Sequence, residues 1–276
     1  MLAFCFLAYR DIAHPQLWNT FFSGGDAADY CIFLHSKESI SQSAVSGVQI
    51  VPTMPTEWGK WSLFAAQQRL IEQACESNNA ITKVILLSSD AVPLWSFADI
   101  KEKLLTDDLN WIDITTRRTR QYGIGFHRGV RRTYTFGSQW VILNRYSVFA
   151  IKSEWTAIEK LWKDTTIPDE KCLQHWFTAI PERRATIKEQ PPVYVNWARR
   201  SNENCPVEKH RNRPYTYCQL TEPDIMEARL SGALFMRKIC RGAPLDALAP
   251  KVGHGIDKID VSAARKQDLQ SVESAQ

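Results

Sequence analysis

Lys83-Val84-Ile85-Leu86-Leu87-Ser88-Ser89-Asp90 is the stretch that decides the fold. An unbroken apolar run from Val84 to Leu87 reads as a strand buried on both faces, the kind found in the middle of a parallel sheet. The polar Ser88-Ser89-Asp90 then reads as the loop at its carboxyl end, before Val92-Pro93-Leu94. Working toward the N-terminus, Lys60 to Ser77 carries the pairs Leu63/Phe64, Leu70/Ile71 and Ala74/Cys75 at helical spacing. Val48-Gln49-Ile50-Val51 is a short strand. Tyr30-Cys31-Ile32-Phe33-Leu34-His35 is a longer one, followed by a serine-rich loop. Gln16 to Phe22 reads as a helix ending at Gly24-Gly25, and Leu2 to Ala8 as the first buried strand. Strands alternating with helices predict an α/β fold with a mostly parallel central sheet flanked by helices.

Ligands of open α/β sheets gather at the carboxyl ends of the strands. Tyr9, Arg10, His35, Ser36, Ser88, Ser89 and Asp90 all fall on that edge, which predicts a cleft there.

The second half is less regular. Trp111-Ile112-Asp113-Ile114 precedes a glycine-containing stretch expected to be loop-like. Gly137 to Leu143 enters a strand, Arg145 to Lys163 reads as a helix, and Val193-Tyr194-Val195-Asn196-Trp197 and Leu234-Phe235-Met236-Arg237-Lys238-Ile239 are late apolar segments. One domain is expected over 1–250, with a flexible tail over 251–276 where apolar residues thin out.

Composition narrows the function classes. Hydrophobic residues make up 44% and charged residues 23% of 276, ordinary for a globular protein. The net charge of +4 does not predict nucleic-acid binding, and no recognition motif accompanies it. The charge is nevertheless uneven: no acidic residue lies between Asp113 and Glu154, while Arg117, Arg118, Arg120, Arg128, Arg131, Arg132, Arg145 and Lys152 do. That stretch is either a solvated basic face or a surface for an anionic ligand. The seven cysteines include no Cys-x-x-Cys pair and several lie in apolar runs, so they read as reduced, with no zinc site. The opening apolar stretch is too short for a membrane span or a signal peptide. A soluble, cytoplasmic protein is the expectation.

Thr166-Ile167-Pro168-Asp169-Glu170 places two carboxylates after a proline and before the helix-capable Cys172 to Phe177. Proline and acids suit a first helical turn. The same arrangement would also hold Glu170 rigidly as a general base facing a cleft.

Taken together, these pieces resemble the core-2/I-branching β-1,6-N-acetylglucosaminyltransferase family (glycosyltransferase family 14), especially its plant-type branch. The likeness runs in order from Phe6-Leu7-Ala8-Tyr9-Arg10 and Ile32-Phe33-Leu34-His35-Ser36 through Glu57-Trp58-Gly59-Lys60-Trp61-Ser62 to Leu86 through Leu94. It continues with Gly137-Ser138-Gln139-Trp140 and Arg145, Pro168-Asp169-Glu170, Val195-Asn196-Trp197 and Leu234 through Lys238. The resemblance implies a GT-A type nucleotide-sugar-binding fold and inverting transfer from a UDP-sugar to a glycan or glycoprotein acceptor. Family donors carry N-acetylglucosamine, xylose or glucuronic acid. It further implies Glu170 as catalytic base, Lys238 and an upstream arginine (Arg213, or Arg211 close by) at the diphosphate, and Trp197 near the acceptor. Arg237, Tyr9, Arg10, His35 and Asp90 are further donor-side candidates, and Asp169 and Trp140 acceptor-side candidates. Asp90 could equally cap the following helix, His35 could be structural, and Trp140 suits a core better than a platform. Trp58-Gly59 reads as a turn needing glycine's freedom.

The chain departs from the family at Lys37, where many animal members carry an aspartate, and at Phe136, where plant-type members carry a basic residue. No Asp-x-Asp occurs anywhere in the sequence, so no cofactor metal is expected. Fixed cations would then neutralise the departing diphosphate, and losing one should cost about 2–4 kcal/mol of transition-state stabilisation. The competing expectation is a non-catalytic module that binds a polyanion through Arg117–Arg132.

Overall fold

A computed structural model describes residues 1–115, 135–198 and 214–248, together with the backbone of 124–127 and 130–133. The expected flexible tail over 251–276 and the candidate cations Arg211 and Arg213 lie outside the described residues, as does most of the basic stretch.

The first half forms as its hydrophobic pattern predicts. β1 (Leu2–Ala8) lies between β2 (Tyr30–Ser36) and β4 (Lys83–Ser88), parallel to both, and β3 (Val48–Ile50) extends the sheet beyond β2. Alternation along β1 divides the core. Phe4 and Phe6 point toward α1 (Pro15–Ser23), with ring centroids 5.0 Å apart for Phe4–Phe22 and 4.9 Å for Phe6–Trp18, both edge-on. Cys5 points the other way, toward Cys75 of α2 (Trp61–Ser77). Helices thus cover both faces. Trp18, Phe21 and Phe22 are buried almost completely, each worth roughly 1.5–3 kcal/mol by area.

Beyond β4 the sheet changes direction. β9 (Ile142–Asn144) runs antiparallel between β4 and β6 (Asn110–Trp111), and β10 (Ile187–Lys188) pairs parallel with β6. The order is β10-β6-β9-β4-β1-β2-β3, so the sheet is mostly parallel, as expected. α3 (Phe97–Leu105) is the helix that follows Asp90, starting seven residues beyond it; it is capped by Ser96, whose Oγ accepts the Asp99 N–H.

Four expectations need correction. Arg145 to Lys163 is not one helix: α4 (Arg145–Ser153) and α5 (Trp155–Trp162) break at Glu154, whose carboxylate accepts from Trp176 Nε1 and from Arg183. Glu170 is not in the first turn of the following helix. Pro168–Glu170 is a separate 3-10 turn, and α6 (Cys172–Thr178) starts only after Lys171, where φ is −133°. The glycine-containing basic stretch is not all loop, because its backbone includes a hairpin of β7 (Ile124–His127) and β8 (Val130–Thr133). Finally, Cys218 is disulfide-bonded, so the cysteines are not all reduced, although Cys5, Cys31, Cys75, Cys172 and Cys240 are free. Disulfides persist in oxidising compartments, which counts against the cytosolic location. No helix among the described residues is long and apolar enough to cross a membrane.

A second, small sheet matters most for the site. β5 (Val92–Pro93) pairs antiparallel with β12 (Phe235–Arg237), and β12 pairs parallel with β11 (Val193–Val195). α8 (Glu222–Leu230) leads into β12 from a capping box made by Thr221 and Asp224.

Candidate active site

Because β5 begins two residues after Asp90, pairing it with β12 sets the end of β12 beside the loop that ends β4. The Ile239 N–H donates to the Asp90 carbonyl at 3.1 Å. The Arg237 guanidinium reaches the Asp90 carboxylate through Nε (3.1 Å) and Nη2 (3.3 Å), and Ser88 Oγ donates to the same carboxylate at 2.5 Å. Burial pushes the Asp90 pKa up, but Arg237, the Ser88 hydroxyl and Lys238 together more than reverse this, and Asp90 titrates below the usual range. Asp90 therefore holds an ion pair just past the carboxyl end of β4 and is not a cap: the cap of α3 is Ser96. Arg237 also lies over the Trp140 ring, 4.7 Å from its centroid. Trp140 itself is 5% exposed, so it is a buried floor under Arg237.

Glu170 lies within electrostatic reach of Arg237. Its 3-10 turn is pinned from two directions: the Ile167 N–H donates to the Gly59 carbonyl at 2.9 Å, and the Gly137 N–H donates to the Glu170 carbonyl at 3.0 Å. Gly59 has φ +73°, the left-handed conformation its Trp58-Gly59 turn predicted. Ile167 is also left-handed, with φ 53°, which is rare for a β-branched residue and marks the turn as held by its surroundings.

Desolvation, followed by the neighbouring Asp169 charge, pushes the Glu170 pKa up to about 7, while Lys171 and Arg237 pull it down and Asp113 pushes it up. Burial likewise pushes Asp169 up to about 6. Asp169 as a whole is 3% exposed, and its Oδ1 has no hydrogen-bond partner among the described residues. Arg237 thus bonds the Asp90 carboxylate directly and lowers the pKa of Glu170 by its charge.

The other candidates separate into two groups. Lys238 follows Arg237 with its charge felt at Asp90, so it belongs to the cluster. Trp197, after β11, is 62% exposed and available to a ligand face. Tyr9 is 60% exposed at the carboxyl end of β1, beneath the Lys37 ammonium at 5.7 Å. Arg10 is also exposed but is paired with Glu38 at 2.5 Å. His35, by contrast, is 1% exposed and neutral by burial; its Nε2 accepts the Met54 N–H at 3.0 Å, tying β2 to the next loop. Arg145 and Lys152 leave the basic stretch altogether: Arg145 donates to the Cys75 and Asn78 carbonyls and Lys152 pairs with Glu76, both fastening α4 to α2.

Sequence reasoning missed Trp58 as a site residue. It is 80% exposed on the turn whose glycine carbonyl accepts the Ile167 N–H, at the start of the segment that carries Glu170. A tryptophan left in solvent next to an obligatory glycine was the available signal. It missed Lys171 too, whose Nζ donates to the Thr166 carbonyl at 2.5 Å while its charge faces Glu170.

Among the described residues, no three histidine, cysteine, aspartate or glutamate side chains come together as a metal site. The carboxyl edge of the sheet carries a half-buried carboxyl, Glu170, whose pKa is pushed up to about 7, within electrostatic reach of Arg237, which adjoins Lys238 in the chain. That combination can accept a proton at one end and stabilise negative charge at the other.

The model of the Core-2/I-branching enzyme family matches residues 2–229. Glycosyltransferase BC10 of Oryza sativa subsp. japonica is 23% identical over 153 residues, which span 52% of this chain and 38% of that relative. Among solved structures, the galactosyltransferase LgtC with donor and acceptor sugar analogues shows 14% identity, with 86% of each chain covered and a TM-score of 0.39. A glycosyltransferase that acts in glycosylating the major capsid of PBCV-1 shows 12% identity over 86% of this chain and 93% of its own, with a TM-score of 0.42.

Proposed function

The chain belongs to the Core-2/I-branching enzyme family, and from that premise we propose that it is an inverting glycosyltransferase of the GT-A type. It would move N-acetylglucosamine, xylose or glucuronic acid from a UDP-sugar to a hydroxyl of a glycan acceptor without a divalent metal. The observation that carries this reading is the juxtaposition of Glu170, titrating at about 7, with the Arg237 charge that Asp90 holds in place.

Inverting transfer requires one group to take the acceptor proton while another neutralises the departing diphosphate. A carboxylate with its pKa near the working pH combines availability as a base with driving force for the transfer. Glu170 has that property because burial and Asp169 disfavour its charge. On the leaving-group side, Lys238 supplies fixed positive charge beside Arg237, whose Nε and Nη2 are engaged by Asp90 and whose Nη1 is left to reach a phosphate oxygen. Arg213, or Arg211, would add a third cation. Tyr9, at the end of β1, suits the nucleotide side. The exposed indoles of Trp197 and Trp58 suit the apolar face of a sugar.

The test is UDP release from UDP-N-acetylglucosamine, UDP-xylose and UDP-glucuronic acid in the presence of EDTA. Release from at least one donor, undiminished by the chelator, supports the reading. Release from none, or only with added manganese, contradicts it.

A further inference from the structure

Gly137 and Ser138 sit between the Glu170 turn and Asp113, a residue that the reading above leaves without a role. The Gly137 N–H holds the Glu170 carbonyl at 3.0 Å, and the next N–H, of Ser138, donates to Asp113 Oδ2 at 2.9 Å. The Ser138 carbonyl is held in turn by Gln174 Nε2 of α6 at 2.7 Å. A Cβ on Gly137 would lie 1.8 Å from the Asp113 carbonyl oxygen, so the two backbones are in direct contact and only glycine fits. Thr115 and Phe136 form a bridge just outside this contact, and the Thr115 N–H reaches the Phe136 carbonyl at 2.8 Å.

We propose that Asp113 is a positioning residue for the Glu170 base, acting through the Gly137-Ser138 backbone. The proposal rests on the assignment of Glu170 as base. Asp113 and Gln174 grip Ser138 from opposite sides, and this grip fixes the direction of the Gly137 N–H that anchors the Glu170 turn. A second effect is electrostatic. The charges facing Glu170 are those of Asp169, Lys171, Arg237 and Asp113, of which Asp113 acts in the smaller share and in the direction that keeps Glu170 protonated. Positioning is therefore the larger effect, because small displacements of a reacting group are costly in rate.

The experiment compares Asp113→Ala, Asp113→Asn and Gln174→Leu with the wild-type chain, using whichever of the three UDP-sugars releases UDP fastest. Asp113→Ala removes the acceptor for the Ser138 N–H and should lower kcat about tenfold, with the donor KM within about twofold. Asp113→Asn keeps an acceptor oxygen and should restore most of kcat. Its loss of charge should also move the acid limb of the kcat/KM profile a few tenths of a pH unit lower. Gln174→Leu releases Ser138 from the other side and should reproduce the kcat loss, which keeps the test open if Asp113→Ala fails to fold. A wild-type kcat in Asp113→Ala or in Gln174→Leu overturns the proposal, as does an equal loss in Asp113→Asn and Asp113→Ala. Glu170→Gln on the same donor separates the two readings. If that variant turns over normally, the base assignment itself fails; if it is inactive while the Asp113 variants behave as wild type, only the positioning role fails.

Discussion

Arg237 joins the strand β12 to the loop after β4 by forking onto Asp90, Nε to Oδ1 at 3.1 Å and Nη2 to Oδ2 at 3.3 Å. This pair fixes the Arg237 guanidinium at a definite place, with its charge within reach of Glu170. Asp90→Asn should therefore destabilise the fold by about 1.5–3 kcal/mol at pH 7, the range for a charged hydrogen-bond partner lost from a partly buried site. The Asp90 pKa is depressed when folded, so its contribution is present above the ordinary carboxylate value of 3.8 and is lost as pH falls through the lower folded value. Urea unfolding at pH 7 and at pH 3 checks both points: the gap between variant and wild type should narrow in acid.

The Glu170 turn makes the opposite prediction. Glu170 is raised from 4.5 to about 7 and Asp169 from 3.8 to about 6, so between those limits the folded chain holds more protons than the unfolded one. Their contribution to stability is full in acid and declines as pH rises from about 4 to 7. Glu170→Gln should be more stable than wild type at pH 8, by about 1–3 kcal/mol, and no more stable at pH 4.5. Thermal unfolding across that range measures it.

Gly59 holds the turn from below at φ +73°. An alanine there adopts a left-handed backbone at a cost of about 1–2 kcal/mol, and in relaxing it would withdraw the carbonyl that accepts the Ile167 N–H. Gly59→Ala should lower both the melting temperature and kcat, whereas Trp58→Ala on the same turn should leave stability nearly unchanged and weaken acceptor use. Equal effects from both variants on stability would contradict this account of the turn.

The disulfide at Cys218 should also be visible in solution. Reduction, or Cys218→Ser, should cost about 2–4 kcal/mol. A melting temperature insensitive to reductant would show that the bond contributes nothing.

The sequence made the central strands legible because burial on both faces leaves a simple trace. Val84 to Leu87 has no polar residue to suggest any other location, and the β1–β2–β4 neighbours follow the same rule. The second half resisted for local reasons. Glu154 breaks a periodic helical pattern by using its side chain to receive Trp176 and Arg183, a tertiary contact no periodicity reports. Pro168-Asp169-Glu170 looked like a helix start because proline and acids favour one. Lys171 instead leaves helical geometry, and the two carboxylates form their own turn. For the site, resemblance supplied Glu170 and Lys238, but nothing in the sequence paired Arg237 with Asp90. The two are 147 residues apart, and only the β5–β12 pairing brings them together.

The account depends most on Glu170 as the group that takes the acceptor proton. Its most direct test is Glu170→Gln, with donor affinity measured by calorimetry and transfer measured in EDTA on the same preparation. The account predicts unchanged donor affinity and a loss of turnover of about 10²–10⁴-fold. Turnover close to wild type in that variant would contradict it.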